Sequence, residues 1–349
     1  MDAIAHVTRA DGHVDSLCVP HGGLWGGDNV DNCFRSVLSL LFGLDAIERM
    51  KSESHSQWLQ FLHDFDAAKA SIGSNQCLRV LVPKQLIHLS KSLQGLKSPA
   101  ELEKAINITN ICGRFTLKGC QLSLDSDATQ GLYQYVANMT KSMMDNLLTS
   151  VKDLSAVIVV GEMANSPIVR NMLKQFGSLK TTFPDSGDTF SLMGATKYGH
   201  DTTVINSRVV PLTYGIQSIV PYKDGLHKGD ETFTLNGVKM CSNNFHTLVT
   251  TGTTVKYKQE ITEVDLPLTP EDKTQVIRVI TCGYKPTFSL ATDPSVKQEA
   301  EIRFPLPFGR LVEDKKFKRA LVVGDTETYF KIQFLKGNTG EFIKYFEYK

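Results

Sequence analysis

The spacing of the apolar residues changes once along this 349-residue chain, near Asn206, and that change restricts it to two dissimilar halves. Before it, apolar residues recur at helical intervals. Phe34, Val37, Leu38, Leu41 and Phe42 fall at i, i+3, i+4, i+7 and i+8, one face of an amphipathic helix. Leu132, Val136, Met139, Met143 and Leu147 mark a longer one, whose methionines read as core filler. After Asn206 the helical interval disappears. Short alternating runs follow, among them TYGIQSIVP, FHTLVTTGTTV, QVIRVITCGY and ALVVGDTETYFKIQFL, parted by Gly, Pro, Asn and Asp about every ten residues. The pattern predicts an α/β part over residues 1–206 and an all-β part over 207–349.

Two strand-to-helix turns stand out in the first part. AIAHVTRADGHVDSLCVP reads as a β-hairpin turning at Ala10-Asp11-Gly12, and Gly22-Gly23 and Gly26-Gly27 then lead into the first helix. Val157–Val160 reads as a buried strand, and after Gly161 the run Asn165-Ser166-Pro167 supplies a helix cap and a proline for the first helical turn. A strand, a tight turn and a helix aim backbone N–H groups at an anion. Residues 181–199 add a loop and a helix in which Gly194-Ala195 permits close packing. Elsewhere, Ser98-Pro99 starts a helix, Phe115–Leu124 forms a strand pair, and Ser126 or Asp127 caps the long helix. Residues 1–33 and about 116–205 are expected in one mixed sheet, with Gly26 and Gly161 close together.

Composition excludes several functions. Thirty-eight basic and 37 acidic side chains leave a net charge of +1, and no basic stretch is long enough to neutralise a nucleic-acid backbone. Lys315–Arg319 is the densest basic cluster and reads as a solvated strand end or loop. The seven cysteines form no CxxC pair, as expected of reduced, mostly buried thiols. MDAIAHVTRADGH has no apolar core of a secretory signal, and no apolar run matches a membrane span. A cytoplasmic protein with chance sequons at Asn107 and Asn138 is expected. No HExxH, GxSxG or Cys-His pairing occurs, so no catalytic residue or metal ligand is assigned, and His21 and His246 read as structural.

In this order the signals resemble the 70-kDa heat-shock chaperone family, and more narrowly its divergent member-12 branch. HGGLWGGDNVDNCF resembles the loop and helix that open the family's second nucleotide lobe. FLHDFDAAK lies where the family has its adenine-contacting Glu-x-x-Lys-Arg helix. IVVGEMANSP resembles the adenosine turn, GDTFSLMGA the last loop and helix of the lobe, and PLTYGI the start of the β-rich region. The resemblance implies the second lobe of an actin-like ATPase, with a mixed sheet, helices and a helical insertion at about 34–115, followed by a β-sandwich-like substrate-binding domain. It also implies ATP or ADP with Mg as the family's cofactor, and a residual nucleotide site at Gly26, Gly27, Asp28, Asp66, Lys69, Gly161, Glu162 and Asp188.

The departures from the family shape the functional expectation. The first lobe has no counterpart, and the second phosphate loop would end about where the chain starts. Glu162 stands at the position of the turn's second glycine. Ala70 replaces the arginine that stacks on adenine, a cation–π contact worth about 0.5–2 kcal/mol. A truncated chaperone-type interaction module is therefore expected, without ATP hydrolysis and with no cofactor for this chain alone. Its partners would be unfolded or partner protein segments, gripped by Phe245, Leu248, Val249, Tyr284 and Phe288, with neither nucleic acid nor membrane involved. A fragment of an active ATP-dependent chaperone and an actin-like small-molecule kinase stay open as alternatives, the all-β part arguing against the kinase.

Overall fold

The computed structural model describes the chain except residues 110–112, 175–178, 186, 188, 226, 228–231, 285, 287–290, 292, 309–310, 324–326, 336–340 and 347–349. It comprises two compact units. One is Met1–Ala3 with His21–His200, the other Ile4–Pro20 with Asp201–Lys349.

The first unit carries helices α1 (Gly27–Phe42), α2 (Leu44–Glu53), α3 (His55–Ser71), α4 (Lys84–Leu93), α5 (Pro99–Asn107), α6 (Ser126–Ser150), α7 (Pro167–Lys174) and α8 (Phe190–His200). The apolar stripe of α1 folds as its spacing dictates, with Val30, Phe34, Leu38, Leu41 and Phe42 buried. Phe34 stacks on Phe65 of α3 with ring centroids 3.8 Å apart and planes 4° from parallel. Gly43, at φ +89°, lets the chain turn from α1 directly into α2. Leu78–Leu81, Gln121–Leu124 and Phe115–Lys118 make an antiparallel sheet, with Gln121–Leu124 central. The cap of α6 is Asp125, not the expected Ser126 or Asp127, because its carboxylate accepts from the Ala128 N–H.

Three expectations for this unit are corrected. The strand at Ala156–Ile158 pairs in parallel with Lys180–Thr182, and Ile158 is 68% exposed rather than buried. Helix α8 buries no residue, and a side chain on Gly194 would meet nothing within 4 Å, so the small pair there serves no close packing among the described residues. The single mixed sheet is not formed among them either. Only Asp2–Ala3 and His21–Gly22 of the N-terminal strands stay in this unit, paired with each other.

The hairpin His6–Thr8/Val14–Ser16 belongs to the second unit, in a sheet ordered Thr254–Lys256, Ile205–Val209, Val14–Ser16, His6–Thr8. The Asp15 carboxylate explains the pairing. It accepts from Asn206 Nδ2 and Ser207 Oγ, both at 2.6 Å, fixing the hairpin beside Ile205–Val209. Two further antiparallel sheets complete the unit. One is ordered Thr232–Leu235, Val238–Val249, Thr213–Pro221, Thr274–Cys282, Lys297–Pro305, the other Gln259–Asp265, Phe317–Val323, Thr328–Phe334, Glu341–Phe346. Tyr214, Ile216, Val279, Ile302 and Phe304 of the first share one core with Phe317, Leu321, Phe330 and Ile332 of the second. Phe304 meets Phe317 edge-on at 5.2 Å.

The basic cluster 315–319 is no solvated loop end. The Lys315 side chain is buried and donates to the carbonyls of Pro270 and Asp272. Arg319 is buried between Glu263 and Asp265, and His246, whose Nε2 lies 2.8 Å from the Glu263 carboxylate, links the two large sheets, the structural role expected of it. No disulfide joins the described cysteines; Cys18, Cys241 and Cys282 are buried and Cys77 is exposed. No helix among the described residues is long and apolar enough to cross a membrane.

Candidate functional site

The two glycine turns of the first unit come together around one lysine. A β-carbon added to Gly27 would lie 3.6 Å from Met163 Sδ and 3.7 Å from Lys69 Nζ, so the start of α1, the end of α3 and the turn after Gly161 converge at that point. Gly26 precedes α1 in extended conformation, and its N–H donates to Asn29 Oδ1 at 2.9 Å. Gly161 has φ +97°, a conformation that strains other residues, and its N–H donates to the Gly187 carbonyl at 2.8 Å. Glu162 follows, exposed, at the head of a 3₁₀ turn, Glu162–Asn165. Asp28 is exposed in the first turn of α1.

Lys69 is the electrostatic centre. Its Nζ donates to Asp31 at 2.5 Å and lies 2.8 Å from Asp66, while its side chain is only 11% exposed. Burial alone would lower its proton affinity, but the hydrogen bonds to Asp31 and Asp66 outweigh that and leave it raised. The Tyr133 hydroxyl donates to the Lys69 carbonyl at 3.0 Å, and burial pushes Tyr133 up to about 12, against the opposing effect of Ser166 and of Lys69. The lysine is thus positively charged and already matched by two carboxylates.

The expected residues Gly26, Gly27, Asp66, Lys69, Gly161 and Glu162 therefore lie on the converging elements, with Asp28 at the rim; Asp188 is outside the described residues. Asp31, Met163 and Tyr133 were not anticipated. Asp31 lies one turn before Phe34 on α1 and Lys69 one turn after Phe65 on α3, so the Phe34–Phe65 stack brings the pair together. No group of three or more His, Cys, Asp or Glu among the described residues is arranged to hold a metal ion.

The proposed peptide-gripping residues are dispersed. Phe245 is buried with Ile280 and Cys282, Val249 lies in the main core, and Leu248 packs against that core. Phe245 and Val249 are thus interior to the second unit, and Leu248 is partly buried. Tyr284 is 39% exposed, and Phe288 is outside the described residues. The exposed apolar side chains lie elsewhere: Val264 on Gln259–Asp265, at one edge of its sheet, and Leu266 and Leu268 just beyond it.

The chain combines an α/β unit, in which two glycine turns meet at a lysine, with a second unit of packed β-sheets. No family model matches the chain. Among curated proteins, heat shock 70 kDa protein 12A of Homo sapiens is 25% identical over 344 residues, covering 94% of this chain and 49% of its own length. Heat shock 70 kDa protein 12B of Homo sapiens is 22% identical over 344 residues with the same shares, and the 12A protein of Mus musculus is 24% identical over 320 residues. These matches support the member-12-like branch of the 70-kDa heat-shock family. The chain spans about half the length of the curated relatives it matches.

Proposed function

We propose that this chain is a chaperone-type interaction module, built as the second lobe of an actin-like nucleotide fold followed by a β-sandwich-like domain, and that by itself it does not hydrolyse ATP. The observation that carries the reading is the state of Lys69. The cation at the meeting point of the glycine turns is matched by Asp31 and Asp66, leaving its charge unavailable to a triphosphate. Phosphoryl transfer depends on positioned cations and N–H donors around the transferred group. Gly26 gives its N–H to Asn29 and Gly161 to Gly187.

This reading takes the converging turns, Lys69 and Asp66 as the remnant of the family's nucleotide site. Protein segments are recognised at Gln259–Asp265, an edge strand of its sheet among the described residues, where Val264 is exposed and Leu266 and Leu268 are exposed just beyond it. Two measurements test the reading. Phosphate release from Mg-ATP should stay at the buffer rate with the purified chain. Fluorescence polarisation with an unfolded apolar peptide should show weak, ATP-insensitive binding that Val264→Lys reduces. Turnover of ATP, or peptide release triggered by it, overturns the proposal.

A further inference from the structure

We propose that Thr269 is a phosphorylation site whose phosphate is received by the buried ammonium of Lys315. The loop from Leu266 to Lys273 joins Gln259–Asp265 to Thr274–Cys282 and reads LPLTPEDK, the one Thr-Pro pair of the chain. Main-chain groups of Thr269 close it into a turn. The Thr269 N–H donates to Asp272 Oδ2 at 2.9 Å, and the Thr269 carbonyl accepts from the Asp272 N–H at 3.3 Å. Both bonds leave the Thr269 hydroxyl outside them. Thr269 is partly exposed, and Leu268 before it and Glu271 after Pro270 are exposed, so the segment presents the Thr-Pro pair that a proline-directed kinase reads.

A buried cation stands at the same turn. Lys315 is only 5% exposed, and its ammonium donates to the carbonyls of Pro270 and Asp272. An ammonium has three protons to give, and a buried charge is costly unless an anion matches it. Among the described residues no carboxylate is paired with Lys315. A phosphate on the residue next to Pro270 brings about −1.5 to −2 charges and three acceptor oxygens, the counter-ion this lysine lacks. Glu271 and Asp272 oppose it, but Glu271 is exposed and solvent-screened, and the Asp272 carboxylate already accepts the Thr269 N–H. In the transfer the γ-phosphoryl group of Mg-ATP passes to Thr269 Oγ1, its bond to the bridging oxygen of ADP breaks, and the hydroxyl proton goes to the kinase's catalytic carboxylate. The paired phosphate then ties the loop at the end of the edge strand to the 3₁₀ turn Val312–Lys315.

The test is treatment of the whole folded chain with a proline-directed kinase and Mg-ATP, with the phosphate located by peptide mass spectrometry, which separates Thr269 from the Ser-Pro pairs at Ser98 and Ser166. Wild type should carry phosphate on Thr269, and Thr269→Ala should carry none in that peptide. Thermal unfolding followed by circular dichroism should show the modified wild type melting about 3 °C higher than the unmodified chain, the scale of one added charge pair in a unit of this size. Lys315→Arg keeps the charge and should keep the rise, and Lys315→Met should lose it. A second measurement does not depend on Lys315→Met folding. The ³¹P resonance of the modified wild type should titrate below the ordinary phosphate value of about 6, because the ammonium favours the dianion. Absence of phosphate from Thr269, a modified wild type that melts no higher, an equal rise in Lys315→Met, or an ordinary phosphate titration each overturns the proposal.

Discussion

Replacing Phe34 with alanine is the sharpest test of how the first unit is held together. The ring is fully buried, stacks on Phe65 at 3.8 Å and meets Phe61 at 6.0 Å. Emptying a buried Phe site costs about 3–5 kcal/mol, which already contains much of the lost aromatic contact, itself worth about 0.5–1.5 kcal/mol. About 4 kcal/mol is a large share of the total stability of a typical domain, about 5–15 kcal/mol. Both tryptophans of the chain, Trp25 and Trp58, lie in the first unit, and Trp58 is buried 5.9 Å from Phe61. Their fluorescence therefore follows this unit alone. With a urea dependence of about 2 kcal/mol per molar, the fluorescence midpoint should fall by about 2 M. The circular dichroism of the β-rich unit supplies an internal control. A shift below about 0.5 M would refute the claim that the Phe34–Phe65 stack organises α1 against α3, and with it the account of how Asp31 reaches Lys69.

Two other outcomes test the second unit. Hydrogen bonds from Asn206, Ser207 and Arg9 hold the Asp15 carboxyl down to about 2, so its contribution is complete above the ordinary value of 3.8 and is lost as pH falls toward 2. Thermal unfolding followed by circular dichroism should show Asp15→Asn less stable than wild type at neutral pH, the gap closing between about pH 4 and pH 2; a gap constant through that range contradicts the assignment. A β-carbon on Gly215 would fall 2.4 Å from the Phe245 ring and 2.5 Å from the His246 carbonyl, so Gly215→Ala must displace a neighbouring strand. A cost of about 1–3 kcal/mol in chemical denaturation is expected, and a neutral result refutes the strand spacing.

Local chemistry was readable in the sequence wherever a residue's neighbours along the chain determine its role. The α1 stripe, the long α6, the turn at Asp11-Gly12 with Gly12 at φ +84°, and the exchange of helices for strands after Asn206 all follow from periodicity and turn residues. The tight hairpin at Asn236-Gly237, both residues at positive φ, carried an equally plain signal that went unread. What could not be read is pairing at a distance. Alternation in Val14–Ser16 specifies a strand but not that its parallel partner is Ile205–Val209. Likewise nothing in FLHDFDAAK indicates that Lys69 meets Asp31, because the pair depends on the angle between two helices set by the Phe34 stack. The burial of Lys315 and Arg319 was hidden for a related reason: a basic run looks solvated until backbone carbonyls and carboxylates from other strands close over it.

The route of the N-terminal hairpin has a practical consequence for anyone dissecting this molecule. The chain leaves the first unit after Ala3, supplies two strands to the second, returns at His21 and leaves again after His200. Three covalent links therefore run between the units, and a cut between His200 and Asp201 does not yield two self-sufficient pieces. A fragment starting at Asp201 would lack Val14–Ser16, exposing the backbone edge of Ile205–Val209 and stranding Asn206 and Ser207 without the Asp15 carboxylate. The clean dissection is a relinked chain in which residues 4–20 are fused ahead of residue 201 and the first unit is closed by a short loop from residue 3 to residue 21.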